Sequence, residues 1–211
     1  MLEIIPLVLG PVSTNCYLIA DPDSGDAAVI DPAWDGQVIL AEAQKRGWKI
    51  GQLWYTHAHF DHFGGAAAIS EAPNPLPIIT LHPLDHDLWQ NQGGAPLFGI
   101  RIDPGPEPTV DLVHGQILRL GSVTFEVRHT PGHTPGHCVF YCVQANVLFS
   151  GDLIFQGGVG RTDLPGGDWE TLVESIRKHV YTLPDETRIL SGHGEESTVG
   201  EEKCENPFVR A

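Results

Sequence analysis

At 211 residues, 41% hydrophobic and 18% charged, the chain is expected to form one globular domain with a sizeable core. A net charge of −15, from 27 acidic against 12 scattered basic residues, argues against nucleic acid, whose phosphates reward clustered Lys and Arg, and favours a small-molecule substrate. No apolar run reaches the roughly eighteen residues of a membrane span. The N-terminus is broken by Pro6, Gly10 and Pro11 without a basic segment, and the four cysteines show no paired spacing, so a cytoplasmic protein with reduced thiols is expected.

The first third reads as strands: LEIIPLVL (2–9), NCYLIA (15–20) and AAVID (27–31). VILAEAQKRG (38–47) has helical periodicity and stops at Gly47, a residue suited to a helix C-terminus. Strand QLWYT (52–56) leads into a loop and a short helix, AAAIS. Next come PIITL (77–81), the paired runs ILRL and VTFEVR (123–128), then CVFYCV (138–143) and NVLFS. A last helix, WETLVESIRKHV (169–180), precedes strand RILS (188–191). Strands in runs, with helices interspersed, predict two sheets with helices outside, not one doubly wound sheet.

The stretch THAHFDH (56–62) follows an apolar strand directly. His57 and His59 are two apart, so in extended chain both rings point to one side, and Asp61 and His62 can turn toward a second point. Imidazole nitrogens and carboxylate oxygens are ligands for zinc, iron or manganese. Three more residues share this placement at glycine-flanked strand ends: His133 in HTPGHTPGH (129–137), Asp152 in FSGDLIF and His193 in SGHGE. Pro131, Gly132, Pro135 and Gly136 rule out a helix through the histidine row. In tight turns the rings of His129, His133 and His137 diverge, so at most one or two of them meet at a common point. His82 and His86, four apart in HPLDHDLW, fall on a predicted helix where no third ligand is evident, which predicts a solvated helix face.

HxHxDH followed by GHTPG, GD and GHG resembles the metallo-β-lactamase superfamily over essentially the whole chain. TNCYLI, GDLIFQGGVGRTDLPGGD (151–168) and TVGEEKCENPF (198–208) resemble the small glyoxalase II-like (hydroxyacylglutathione hydrolase-like) enzymes. The resemblance implies an α/β fold, a four-layer αββα sandwich with a dinuclear site along one edge. It assigns His57, His59 and His133 to one metal, Asp61, His62 and His193 to a second, and Asp152 to both. It thereby selects His133 from the histidine row and leaves His129 and His137 as neighbours, read as a strand-end polar residue and a structural one. The implied cofactor is two divalent ions, zinc ahead of iron or manganese.

On that reading a hydroxide shared by two ions is the nucleophile, Asp61 orients it or takes its proton, and a thioester suits the site because a thiolate leaves without a strong general acid. The substrate implied is a thioester such as S-lactoylglutathione. Arg161, where larger relatives carry a lysine that contacts glutathione, either clamps a substrate carboxylate or pairs internally with Asp163 or Asp168. Those relatives also carry a helical C-terminal domain and a tyrosine where this chain has Asp163. The rival reading is a persulfide dioxygenase of the same superfamily, which would hold one iron through His57, His133 and Asp152.

Overall fold

The computed structural model describes residues 2–71 and 75–210. Two six-stranded sheets form the centre. In the first, β1 (Glu3–Leu9), β2 (Thr14–Asp21) and β3 (Asp26–Ile30) are antiparallel neighbours, and β3 continues in parallel through β4 (Lys49–Trp54) and β5 (Ile78–Leu81) to β6 (Val110–Asp111). In the second, β7 (Ile117–Leu120), β8 (Val123–His129), β9 (Cys138–Cys142) and β10 (Val147–Gly151) form an antiparallel run. There β10 pairs in parallel with β13 (Arg188–Ser191), and β14 (Ser197–Thr198) closes the edge.

The strands near the centre of each sheet are apolar on both faces because both faces are covered. In β2, Cys16, Leu18 and Ala20 pack outward against α1 (Gly36–Arg46) and α3 (Ala66–Ser70), while Tyr17 and Ile19 face the second sheet. In β9, Cys138, Phe140 and Cys142 face inward, and Val139 and Tyr141 face α5 (Trp169–His179). Trp54 fills the space between sheets, edge-on to Phe125 at 4.9 Å between ring centroids. Truncating such a buried aromatic to alanine costs about 3–5 kcal/mol. The result is the four-layer αββα sandwich that the family resemblance implies, with the two sheets and outer helices that the strand and helix pattern predicts. Among the described residues no helix is long and apolar enough to cross a membrane.

Local chemistry sets the element ends. Gly47 stops α1 in the left-handed region and donates to the carbonyls of Ala43 and Gln44, which would otherwise be left unpaired at the helix end. The Asp168 side chain caps α5 through Thr171 N, and Arg177, Lys178 and His179 sit where the helix dipole favours positive charge. Thr198 and Glu201 form a capping box at α6 (Val199–Glu205). Asn206, just past α6, donates to Gly158 O and accepts from Val209 N, while Glu202 accepts from Gly157 N. The ENPF ending therefore pins the small hairpin β11–β12 (Ile154–Phe155, Gly158–Val159), which leads to Arg161.

Because β3 and β4 are parallel, as are β10 and β13, their C-terminal ends lie at common edges. Asp31, His57, Asp152 and His193 all follow those ends, the place where open α/β sheets carry their sites. The TNCY stretch stitches the two sheets together there. Asn15 N donates to Gly192 O at 2.7 Å, Asn15 Nδ2 to Ser191 O and Gly194 O at 2.9 Å each, and the Tyr17 hydroxyl to Ser191 O.

Candidate metal centre

Two buried aspartates shape the THAHFDH segment. The Asp31 carboxylate accepts from Thr56 N and Thr56 Oγ1, both at 2.7 Å, and lies 2.9 Å from His62 Nδ1. Asp85 accepts from Ala58 N, Thr134 Oγ1 and Gly136 N at 3.1, 2.7 and 2.6 Å, tying the first histidine loop to the TPGHTPG turns. Burial raises the Asp85 carboxyl's affinity for a proton, and these three donors oppose it. With those backbones fixed, Phe60–Phe63 forms a single helical turn, α2, that carries Asp61 and His62.

The predicted ligands converge. His133 Nε2 lies 2.8 Å from His59 Nδ1 and 3.2 Å from His57 Nε2. Beside them, His62 Nε2 lies 3.4 Å from Asp61 Oδ2 and 3.3 Å from Asp152 Oδ1, and His193 Nε2 lies 3.3 Å from Asp61 Oδ2. Asp152 Oδ2 stands 3.6 Å from both His133 and His193, between the two groups.

The outer partners fix the ring tautomers. His133 Nδ1 donates to Arg161 O at 2.7 Å, and His62 Nδ1 donates to Asp31. Thr56 Oγ1 spends its proton on Asp31 and accepts from His57 Nδ1. The neutral rings of His57 and His133 therefore each turn a lone pair into the cluster. Burial, reinforced by neighbouring rings, holds His57 well below its ordinary pKa, His59 at about 3 and His133 below the usual range, so these rings are neutral. In the other group burial works against charge, yet His62 is held well above its usual value by Asp152, Asp61 and Asp31. Burial likewise opposes ionisation of Asp61, but His62, His193 and Thr14 keep it at about 2.

This arrangement fits bound cations. Lone pairs of His57 and His133 face each other 3.2 Å apart, which repels unless a positive charge lies between. His62 Nε2 and Asp152 Oδ1 are buried with no hydrogen-bond partner; leaving such groups unsatisfied costs about 1–3 kcal/mol each. Among the described residues no Lys or Arg pairs with Asp61 or Asp152. Gly192 keeps the space open, since a Cβ there would lie 2.2 Å from Asp152 Oδ1. The ligand atoms of His57, His59 and His133 all lie within 4.8 Å of one another, as do those of Asp61, His62 and His193. Asp31, His57 and His62 meet the same criterion, but both Asp31 oxygens are already engaged by Thr56 and His62.

Of the other histidines, His137 is buried beside His57, accepts from Asp152 N at 3.1 Å and bonds Thr130 Oγ1, so it is structural and orients the Asp152 backbone. His129 points away, donating to Pro135 O and stacking on His82. The single solvated helix expected for His82 and His86 is absent. His82 precedes a 3-10 turn, His86 opens the separate α4 (His86–Gln90), and His86 sits 3.2 Å from Asp111. Pro83 can open a turn but cannot extend a helix already under way, which explains the break. Arg161 lines the cavity beside the cluster, with its guanidinium on Asp163 through two 2.7 Å bonds; Asp168 is the α5 cap. Sequence reading missed Asp31, Asp85 and Thr14, whose hydroxyl donates to Asp61 at 2.9 Å. A carboxylate closing the apolar run AAVID was a signal for Asp31; nothing local marks Asp85.

Comparison with known proteins gives the family. The family described as the metallo-beta-lactamase superfamily matches residues 9–193. The hydroxyacylglutathione hydrolase GloC of Haemophilus influenzae is 36% identical over 100% of this chain and 98% of its own. The crystal structure of the BLEG-1 B3 metallo-beta-lactamase superposes with a TM-score of 0.91 at 34% identity, covering 100% of both chains. That of TTHA1623 in a di-iron-bound form gives 0.88 at 40% identity, over 97% of this chain and 100% of that one. The chain belongs to the metallo-beta-lactamase superfamily.

Proposed function

We propose that this superfamily member is a binuclear metal-dependent hydrolase that cleaves a thioester of the S-lactoylglutathione type. The observation that carries the reading is the convergence of seven donor side chains beside an open cavity, with His62 Nε2 and Asp152 Oδ1 buried there without a hydrogen-bond partner. The relative named hydroxyacylglutathione hydrolase, matched end to end, supports the substrate class. His57, His59 and His133 would hold one ion, Asp61, His62 and His193 the other, and Asp152 would touch both. Zinc, iron and manganese all suit this donor set, and the likeness to a di-iron protein keeps iron in view beside zinc. Bound there, the ions supply Lewis acidity and make water nucleophilic near neutral pH.

The chain's own residues do the remaining work. No protein nucleophile is needed, and the thiols nearest the core are unsuited to the role: burial raises the proton affinity of Cys16 and Cys138. Asp61, held ionised and aimed by Thr14, orients the attacking water and can take its proton. Arg161 is the cation placed to receive a substrate carboxylate. Its pairing with Asp163 is exposed, and exposed pairs contribute only about 0–1 kcal/mol, so a substrate carboxylate can displace Asp163. The four unpaired cysteines support a reducing, cytoplasmic setting.

The test is turnover of S-lactoylglutathione by the metal-loaded protein, with oxygen present and then excluded. Oxygen-independent release of glutathione supports the reading. No release from fully loaded protein, with oxygen consumed on a persulfide instead, replaces it with the mono-iron dioxygenase.

A further inference from the structure

The cavity beside the donor cluster, about 300 Å³, has a second wall that the hydrolytic chemistry does not use. Phe60, Leu88, Leu97, Phe98 and Ile100 form most of it, with Val12 from the β1–β2 turn at the mouth. Leu97, Phe98 and Val12 are 68%, 50% and 48% exposed. Large apolar side chains scattered singly need no explanation, but three gathered on one cavity mark a surface that meets an apolar ligand.

The wall is fastened to the metal loop. A Cβ on Gly93 would lie 2.3 Å from Phe60 N and 2.7 Å from Ala58 O, so segment 92–98 rests directly on the backbone that presents His59 and Asp61. Gly93 also has φ +59, a second reason for glycine there. The Phe60 and Phe98 rings approach to 5.7 Å between centroids. Of the cavity's residues only Arg161 is a permanent cation. The other polar side chains on the cavity belong to the donor cluster, so a polar acyl group lying along Phe60, Leu97 and Phe98 would meet hydrocarbon side chains without hydrogen-bond partners.

We infer that the wall built on Phe60, Leu97 and Phe98 selects thioesters whose acyl group is apolar, a hydrocarbon chain or ring, over a short hydroxylated acyl such as lactoyl. The inference rests on the hydrolase reading and narrows its substrate to the acyl side, leaving the thiol carrier to Arg161. Each methylene laid against the wall should raise kcat/KM about fourfold until the cavity is filled.

The experiment holds glutathione constant and varies the acyl group from acetyl to pentanoyl, with lactoyl and phenylacetyl beside them, on the metal-loaded enzyme. It also measures binding of the free acids acetate and pentanoate, which share one head group. The expected result is roughly a 60-fold rise in kcat/KM from acetyl to pentanoyl, a parallel tightening of the acid, and flattening of both series in Leu97→Ser and Phe98→Ser. Hydrolysis with equal rates along the series overturns the inference and leaves the hydrolase reading standing. Chain-dependent binding of the acids without any turnover does the reverse. A preference that follows an apolar thiol carrier instead of the acyl group also overturns the assignment.

Discussion

The two halves of the donor cluster reach similar compactness by opposite electrostatics. His57, His59 and His133 are buried rings kept neutral by burial and aimed by Thr56, Thr56's partner Asp31, and the Arg161 carbonyl. Asp61, Asp152, His62 and His193 form a charged group in which burial loses to mutual attraction, and His193 stays 29% exposed. The first half offers lone pairs with little net charge, so imidazole geometry decides what it holds. The second carries two carboxylates, so a cation there is held more by charge, and with His193 part-exposed to solvent it should leave first. Asp152 couples the two, because its oxygens face His62 at 3.3 Å and both His133 and His193 at 3.6 Å.

Replacing Asp152 with alanine is the harshest way to break that coupling. Both ions should be lost and turnover should fall more than about 1,000-fold, beyond the 10–100-fold typical of residues that only orient ligands. Elemental analysis that still finds two equivalents of metal would end the shared role. Chelation comes next in size. If each ion is present at about 1,000 times its Kd, removing one costs about 4 kcal/mol, roughly 8–16 °C in Tm for a chain of this length. Graded chelator should strip one equivalent before the other; simultaneous loss would erase the contrast between halves.

Asp31→Asn probes what the halves share outside the cluster. One amide oxygen cannot serve Thr56 N, Thr56 Oγ1 and His62 Nδ1 together, so metal affinity should fall about 10–100-fold in both halves. Thr14→Val is the mildest and most selective change. It removes a single hydrogen bond to Asp61, worth about 1 kcal/mol or fivefold in affinity, and should weaken only the carboxylate-rich half in a calorimetric titration. Equal weakening of both sites would show that the halves act as one unit.

Much of this centre is legible before any folding is considered. THAHFDH, GHTPG, GD and GHG each place ligand-type side chains at the end of an apolar run, and all seven come together in the structure. The two-sheet architecture follows from strands such as TNCYLIAD, buried along their whole length, with each alternate residue assigned to one of two cores. His82 and His86 read less well, because a four-residue spacing looks helical whether or not a proline interrupts it. Segment 83–98 reads least well. It is built from short turns whose positions depend on Gly93 touching the Phe60 backbone, a contact with no local signature.

The sequence by itself determined the residue types, the strand and helix periods and the ligands at strand ends, because these depend on neighbours within a few residues. Only the tertiary structure decided that Asp31 and Asp85 are the aspartates that hold the loops, that Arg161 rests on Asp163, and that an apolar wall stands over the cluster. Those outcomes depend on chain segments far apart, such as His59 meeting His133 across 74 positions and Asn15 meeting Ser191 across 176. Such contacts are chosen by which packing leaves the fewest buried polar groups unpaired across the whole molecule, not by any short stretch alone.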